Sequence, residues 1–473
     1  MDFNKTIASI PDRFPLKVFP EVGVTVTGKS LRHYSGICAA WLQKQGFGTI
    51  ALHMGNCPEF LYLFAGALRA GVKVQLLNVL EPAETDFPVF DRDRVAAVID
   101  NPPETFIPHV WKTDEPFLVM YTSGTSGERK QVEKGIVQFF AKGHPPIHRG
   151  ITRVLGLRVY NSSPWYHQLG LCLLIYTLSG ILLTEITAGR FNPEQMRTII
   201  NETRPNALFT TPTMLTRCID CGEFRLPAFI VCSGECLSDR TLDQLERNGG
   251  GKILVNSYGT TETYVIAGMN YLFDRVGLFG RILILLKNTL PSQRSVSFNR
   301  KTLPPHCAGS IVKTVDVRIM KDGKEVGEGE PGEIHARTRT MVASLGEGYF
   351  NTGDIGYVKD GLLFVIGRRT NVINRSGEKI LPEDIERVIA ARPGVRSVVV
   401  FGIPSETHGE DICAAVESED GAAVFAPSDL EGSLPKHKIP QHLFFYSRFP
   451  LTVTGKTDLS VLRAEAMKKV ARS

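Results

Sequence analysis

No stretch of these 473 residues is apolar for long enough to span a bilayer. The longest apolar run, 169–183, is broken by Thr177, Ser179 and Gly180, whereas a membrane helix needs about 20 residues. A buried helix, turn and strand suits it better. The opening MDFNKTIASIPDRF lacks the basic-then-apolar layout of a secretion signal, so the chain reads as cytoplasmic with no stable membrane span. An excess of one charge is missing too. The 54 Lys and Arg against 49 Asp and Glu leave +5, and only Lys468, Lys469 and Arg472 form a short basic tail. No nucleic-acid partner is expected. The nine cysteines are an odd count and point to reduced thiols. Cys218-x-x-Cys221 and Cys232-x-x-x-Cys236 have spacing suited to zinc. Yet Cys232 closes an apolar strand-like run, and no glycine-rich knuckle follows the first pair.

What is present is a soluble α/β composition, 43% apolar and 22% charged, long enough for two or three domains. Strand and helix alternate: a strand at 49–53, a helix at 56–69 ending at Gly71, a strand at 72–78. The rhythm resumes with helix 193–202, strand 207–211, helix 214–220, strand 228–233, a helix near 238–247 and strand 252–257. This predicts a large N-terminal domain of two α/β lobes. Residues 271–305 fit no clear element. From Gly309 short strands suggest a small β-rich subdomain. The Gly-Arg-Arg at 367–369 marks a boundary, which divides the chain into 1–368 and a small α+β C-terminal domain at 369–473.

Residues 23–30, GVTVTGKS, match the phosphate-loop pattern G-x-x-x-x-G-K-[ST]. All four variable positions, Val24 to Thr27, are β-branched and favour extended backbone rather than a wrap around an anion. The expectation is a hairpin strand entering a helix capped by Ser30.

Four other segments carry chemistry. In FLVMYTSGTSGERK (117–130) an apolar strand gives way to hydroxyls and glycines. Thr122, Ser123, Thr125 and Ser126 can donate hydrogen bonds, and Gly124 and Gly127 let the backbone curl into an anion nest. Arg129 and Lys130 add positive charge; a polar surface turn is the plain alternative. In NSYGTTE (256–262) Tyr258 offers a flat face to a nucleobase, and Thr260 and Thr261 offer hydroxyls. Glu262 offers a hard oxygen to Mg²⁺, at a strand's C-terminal end where open α/β sheets place ligands. In YFNTGD (349–354) Asp354 can accept both hydroxyls of a ribose. In PLTVTGK (450–456) Lys456 alone would pass for a solvated lysine.

Together, spread over most of the chain, these segments resemble the motifs of the adenylate-forming superfamily. It comprises acyl- and aryl-CoA synthetases, peptide-synthetase adenylation domains and beetle luciferases. Arg129 and Gln131 replace the usual proline and glycine of its phosphate loop, and the segment before Tyr349 is shortened. The resemblance implies ATP-phosphate contact for 122–127 and Lys130. It implies adenine contact for Tyr258, with Gly259 and Thr260 in the same motif, α-phosphate contact for Thr261 and metal binding for Glu262. Gly234 and Glu235, after Ser233, resemble the turn beside the adenine. Asp354 with Arg368 matches the ribose pair, and Lys456 matches the lysine on the reacting oxygens. Trp165-Tyr166-His167 resembles the aromatic-histidine segment that lines and gates the acid site. Thr370 stands at the hinge position of a mobile C-terminal domain.

WYHQLG carries no aspartate to pair an amine, and Leu169, Leu171, Leu173 and Leu174 follow, so an apolar acyl or aryl acid is favoured over an amino acid. The reaction implied is carboxylate plus Mg·ATP giving acyl-AMP and pyrophosphate, then transfer to a thiol, CoA first. Three alternatives stay open: a stand-alone enzyme loading the phosphopantetheine of an acyl carrier protein, a catalytically inactive nucleotide-binding paralogue, and a kinase or nucleotidase using 23–30.

Overall fold

The structure is a computed structural model. It describes residues 1–123, 129–139, 156–181, 183–223, 225–235, 237–248, 253–272, 296–299, 301–342, 348–405, 407–452 and 456–471. The chain forms two compact units, Met1–Val317 with Ala336–Phe350, and Arg318–His335 with Asn351–Ser473.

Two sheets organise the first unit. In chain order its strands include β1 Pro15–Phe19, β2 Val24–Thr27, β3 Thr49–Leu52, β4 Lys73–Leu76, β5 Val89–Phe90, β6 Pro116–Ser123 and β7 Arg129–Gly135. These are followed by β8 Arg158–Asn161, β9 Thr184–Thr187, β10 Ala207–Thr210, β11 Phe229–Ser233, β12 Ile253–Thr260 and β13 Tyr264–Leu272. The smaller sheet has the order β5-β3-β4-β6-β7, parallel except for the last pair. The larger runs β13-β12-β11-β10-β8-β9-β1-β2, with a parallel centre from β12 to β1. Parallel strands buried on both faces need apolar residues at both parities. Accordingly Tyr160 and Leu208 enter one cluster with Met196, Ile200, Leu215 and Leu242 from the helices, while Val159 and Ala207 enter another with Leu173.

Helices Pro58–Ala70, Pro193–Thr203 and Pro212–Asp220 each open on a proline, whose missing N–H costs nothing at a first turn. The first starts two residues later than its sequence suggests: its cap is the extended Cys57, and Asn56 ties other segments together. Its amide donates to Ser163 O and Thr187 Oγ1 and accepts from Trp165 N–H.

Residues 23–30 are the expected hairpin strand and helix start. β2 pairs antiparallel with β1, and helix Gly28–Gln45 follows. The cap is Thr27, not Ser30; Ser30 closes a reciprocal capping box on it. The N–H groups a phosphate would need are already taken: Gly28 donates to Phe14 O and Lys29 to Asp12 O.

In the second unit, strands Ile373–Arg375, Glu378–Ile380, Val395–Ser405, Gly409–Ser418 and His442–Tyr446 form one sheet. Alternation along Gly409–Ser418 sends Ile412, Ala414 and Val416 toward helix Pro382–Ala390, and Cys413 and Ala415 toward helix Leu459–Val470. Among the described residues no helix is long and apolar enough to cross a membrane.

Candidate active site

The β6–β7 pair is an antiparallel hairpin in which Thr122 faces Lys130 and Ser123 faces Arg129. The turn that carries Gly124, Thr125, Ser126 and Gly127 lies outside the described residues, as do the side chains of Thr122, Ser123, Arg129 and Lys130. Farther along β7 the side chains alternate. Gln131 and Glu133 are exposed, Val132 and Lys134 buried.

β12 extends past its expected end to Thr260, then turns at 261–263 into β13. A Cβ on Gly259 would fall 1.7 Å from Tyr264 O, so only glycine admits this turn. The turn is held from inside and outside. Thr263 N–H donates to Thr260 Oγ1, Thr340 Oγ1 to Thr263 O, and Val342 N–H to Glu262 O. Thr260's hydroxyl thus serves the turn itself. Glu262 is held by its backbone and is half-buried, with the buried Lys134 ammonium as a charged neighbour. A single carboxylate of this kind could give a hard cation one oxygen ligand and leave its other positions to phosphate oxygens and water.

Beside it, β11 ends on Ser233, whose hydroxyl donates to Ser257 O, and Gly234 takes a left-handed φ of 90°. Glu235 accepts from Thr213 N–H at 3.0 Å and so caps the helix Pro212–Asp220.

His167 is the extended residue before helix Gln168–Leu178, half-buried, with its N–H on Pro164 O. Trp165 is fully buried: its ring packs on Phe19 and Phe60, and its indole N–H donates to Glu185 Oε1. The half-buried surface of this segment is His167, Gln168 and Leu169 rather than Trp165.

Lys134 was not singled out by sequence, although its inward parity on β7 is a readable signal. It is 1% exposed, donates to Gln168 Oε1 and lies over the Phe139 ring. Burial pushes its ammonium down to about 8, an effect the neighbouring Cys172 and Glu262 oppose.

In the second unit Asp354 and Arg368 are cross-strand partners of the hairpin Phe350–Lys359 and Leu362–Arg368. Thr352 Oγ1 receives Asp354 N–H and donates to Ile334 O, which sets the acid's direction. Thr370 lies exposed in the short 3₁₀ turn Arg369–Asn371. Lys456 is half-buried at the end of a loop closed by Thr452 N–H on Lys456 O and by a bridge between Leu451 and Thr457.

Residues 81–350 match the model of the AMP-binding enzyme family, and residues 384–456 match that of the AMP-binding enzyme C-terminal domain. The chain belongs to the AMP-binding enzyme family. The two matches take in the 122–130 hairpin, His167, the 258–262 turn and, at their far end, Lys456. Among curated relatives, the chain is 26% identical over 460 residues to a 2-succinylbenzoate–CoA ligase of Bacillus licheniformis, covering 86% of this chain and 87% of that one. It is 25% identical over 381 residues to the mouse mitochondrial medium-chain acyl-CoA ligase ACSF2, covering 74% of this chain but 57% of the relative's length. Among solved structures, ATP-bound MatB from Rhodopseudomonas palustris superposes with a TM-score of 0.76 at 21% identity, over 98% of this chain and 99% of that one. This adenylate-forming fold is a large α/β N-terminal domain with a smaller α+β C-terminal part.

Proposed function

We propose that this AMP-binding enzyme activates a carboxylic acid with Mg·ATP and passes the acyl group to a thiol, CoA being the acceptor. A carboxylate oxygen attacks the α-phosphorus, the bond to the bridging oxygen breaks, and pyrophosphate leaves. Thiolate sulfur then attacks the acyl carbon, and AMP leaves. The acid is an apolar acyl or aryl carboxylate, placed beside His167.

One observation carries the reading: Glu262 stands half-buried on a turn locked by Thr260, Thr340 and Val342, just past the C-terminal end of β12. Mg²⁺ bound there would neutralise phosphate charge. The protein's own part is positioning and fixed polarity. Tyr258 faces the base, Thr261 the α-phosphate, Lys130 and the 122–127 segment the remaining phosphates, Asp354 the ribose, and Lys456 the reacting oxygens. The C-terminal domain after residue 368 turns about Thr370 between the two half-reactions. That both curated relatives are named CoA ligases supports CoA over a carrier protein.

The test is pyrophosphate release from a panel of aliphatic, aryl and amino acids, with and without CoA, in wild type and two variants. Apolar and aryl acids lead, amino acids fail, Glu262→Ala abolishes Mg-dependent turnover, and Lys29→Ala leaves it intact. Turnover that survives Glu262→Ala and collapses in Lys29→Ala would place the nucleotide at residues 23–30 and overturn the reading. Nucleotide binding without turnover on any acid would leave the inactive paralogue.

A further inference from the structure

Among the described residues of the first unit, two charges are buried without any exposed surface, Lys17 on β1 and Glu185 on β9. The strands are parallel with these residues in register, and the side chains form an ion pair. Lys17 also donates to Thr177 Oγ1 at 3.3 Å. Glu185 is used at both oxygens: Oε2 takes Lys17, and Oε1 accepts from Trp165 Nε1 at 2.8 Å and Asn161 Nδ2 at 2.7 Å.

The segment these donors belong to, 161–167, is tied at almost every step. Asn161 Oδ1 accepts from Ser163 N–H, and Thr187 Oγ1 donates to Asn161 O. Asn56 donates to Ser163 O at 3.1 Å and accepts from Trp165 N–H at 2.7 Å. Pro164 O accepts from His167 N–H, and a Cβ at Gly170 would stand 2.3 Å from that same oxygen, so the loop folds flat onto the helix start. The Trp165 ring is wedged between Phe19 at 5.8 Å and Phe60 at 5.3 Å.

Stability is a poor reason for such a pair. Desolvating two charges often costs more than their attraction returns, and well-packed hydrocarbon of equal volume is commonly as stable. Hydrocarbon could not, however, accept from both Trp165 and Asn161. We propose that Glu185, charge-balanced by Lys17, is a positioning residue for adenylation: it holds Trp165 and Asn161 and thereby sets where His167 stands against the acid. Glu185 touches no substrate. The inference rests on the place given above to His167 in the acid site.

Two double variants separate positioning from packing. Lys17→Met with Glu185→Leu removes both charges and the acceptor without stranding either partner. Lys17→Met with Glu185→Gln removes the charges but keeps an oxygen for Trp165 and Asn161. Kinetics are read as kcat and KM for acid and for ATP separately, and hydrogen exchange is read at the Trp165 indole N–H in ligand-free protein. A small misplacement of reacting groups can cost roughly 10²-fold, so the leucine variant should lose at least about tenfold in kcat/KM for acid. Its KM for ATP should stay within about threefold and its indole exchange should accelerate, while the glutamine variant recovers both acid kinetics and protection. Trp165→Phe, which keeps the ion pair and removes the indole donor along with some ring volume, should show the same acid-specific loss if the leucine variant does not fold. Unchanged acid kinetics in the leucine and phenylalanine variants, or a loss that glutamine does not rescue, overturns the proposal. A wild type inactive on every acid would instead sink the functional reading, and the indole exchange would then decide the positioning claim alone.

Discussion

The Asp354 carboxylate and the Arg368 guanidinium meet at 3.2 Å across two registered strands. Asp354 is 15% exposed and Arg368 50%, so the acid is held while its partner stays half in solvent. Their hairpin closes at Asp360 and Gly361, both with left-handed φ, a turn that matches the twist of its strands. If Asp354 receives the ribose hydroxyls, Asp354→Ala should raise KM for ATP roughly 10- to 100-fold, the worth of a hydrogen bond to a charged group. It should also erase discrimination between ATP and its 2′- and 3′-deoxy forms. Steady-state KM values for the three nucleotides check this; discrimination that persists in the variant places the ribose elsewhere.

Lys456 closes a loop fixed at its base by Thr452. Its ammonium can help only while charge moves between carboxylate and α-phosphate. Lys456→Ala should therefore lose about 10²–10³ in adenylation, yet still convert supplied acyl-AMP and thiol to thioester. The two half-reactions, run separately on one folded variant, give the answer. Normal adenylation would leave Lys456 a surface charge.

Thr370 sits in a 3₁₀ turn, whose φ is near the value proline imposes. Thr370→Pro should fit this conformation and resist a rotated one, slowing thioester formation more than adenylation. Equal loss in both half-reactions would argue against a pivot at this residue.

Glu386 accepts from Val400 N–H at 2.8 Å on the helix packed beneath the C-terminal sheet. Burial pushes its carboxyl up to about 8, against the pull of that N–H and with a smaller push from Glu383. The native state then keeps a proton the unfolded chain has released. Stability should fall as pH climbs from the ordinary glutamate range to about 8, then level off. Glu386→Gln retains an acceptor for Val400 and removes the titration. Its melting temperature relative to wild type should rise between pH 5 and pH 9, which parallel thermal scans can show. A constant difference would mean the carboxyl is ionised throughout.

Much of this was legible because it is local. β-Branched residues at 24–27 predicted a strand in place of a phosphate loop, and the alternation of strand and helix predicted both sheets. Asp354 and Arg368 were paired by resemblance, and a short hairpin does bring them together. What was hidden depends on partners far along the chain. Lys17 and Glu185 are 168 positions apart, and their trace in the sequence is a lone charge in each of two short strands, PLKVF and TEIT. Asn56 looks like a helix cap until its partners at 163, 165 and 187 are known. Residues 318–335 pack with the second unit although the Gly-Arg-Arg boundary lies beyond them, because the hairpin that ends there folds back on them through Thr352 and Gly329.

The central claim is that a substrate carboxylate attacks the α-phosphorus of ATP, and oxygen labelling tests it most directly. An acid that the panel shows to be turned over is supplied with both carboxylate oxygens as ¹⁸O, together with Mg·ATP and CoA, and the nucleotide and phosphate products are examined by mass spectrometry. The account predicts AMP carrying one ¹⁸O and pyrophosphate carrying none. Label in inorganic phosphate alongside unlabelled ADP would mean attack at the γ-phosphorus and would contradict it.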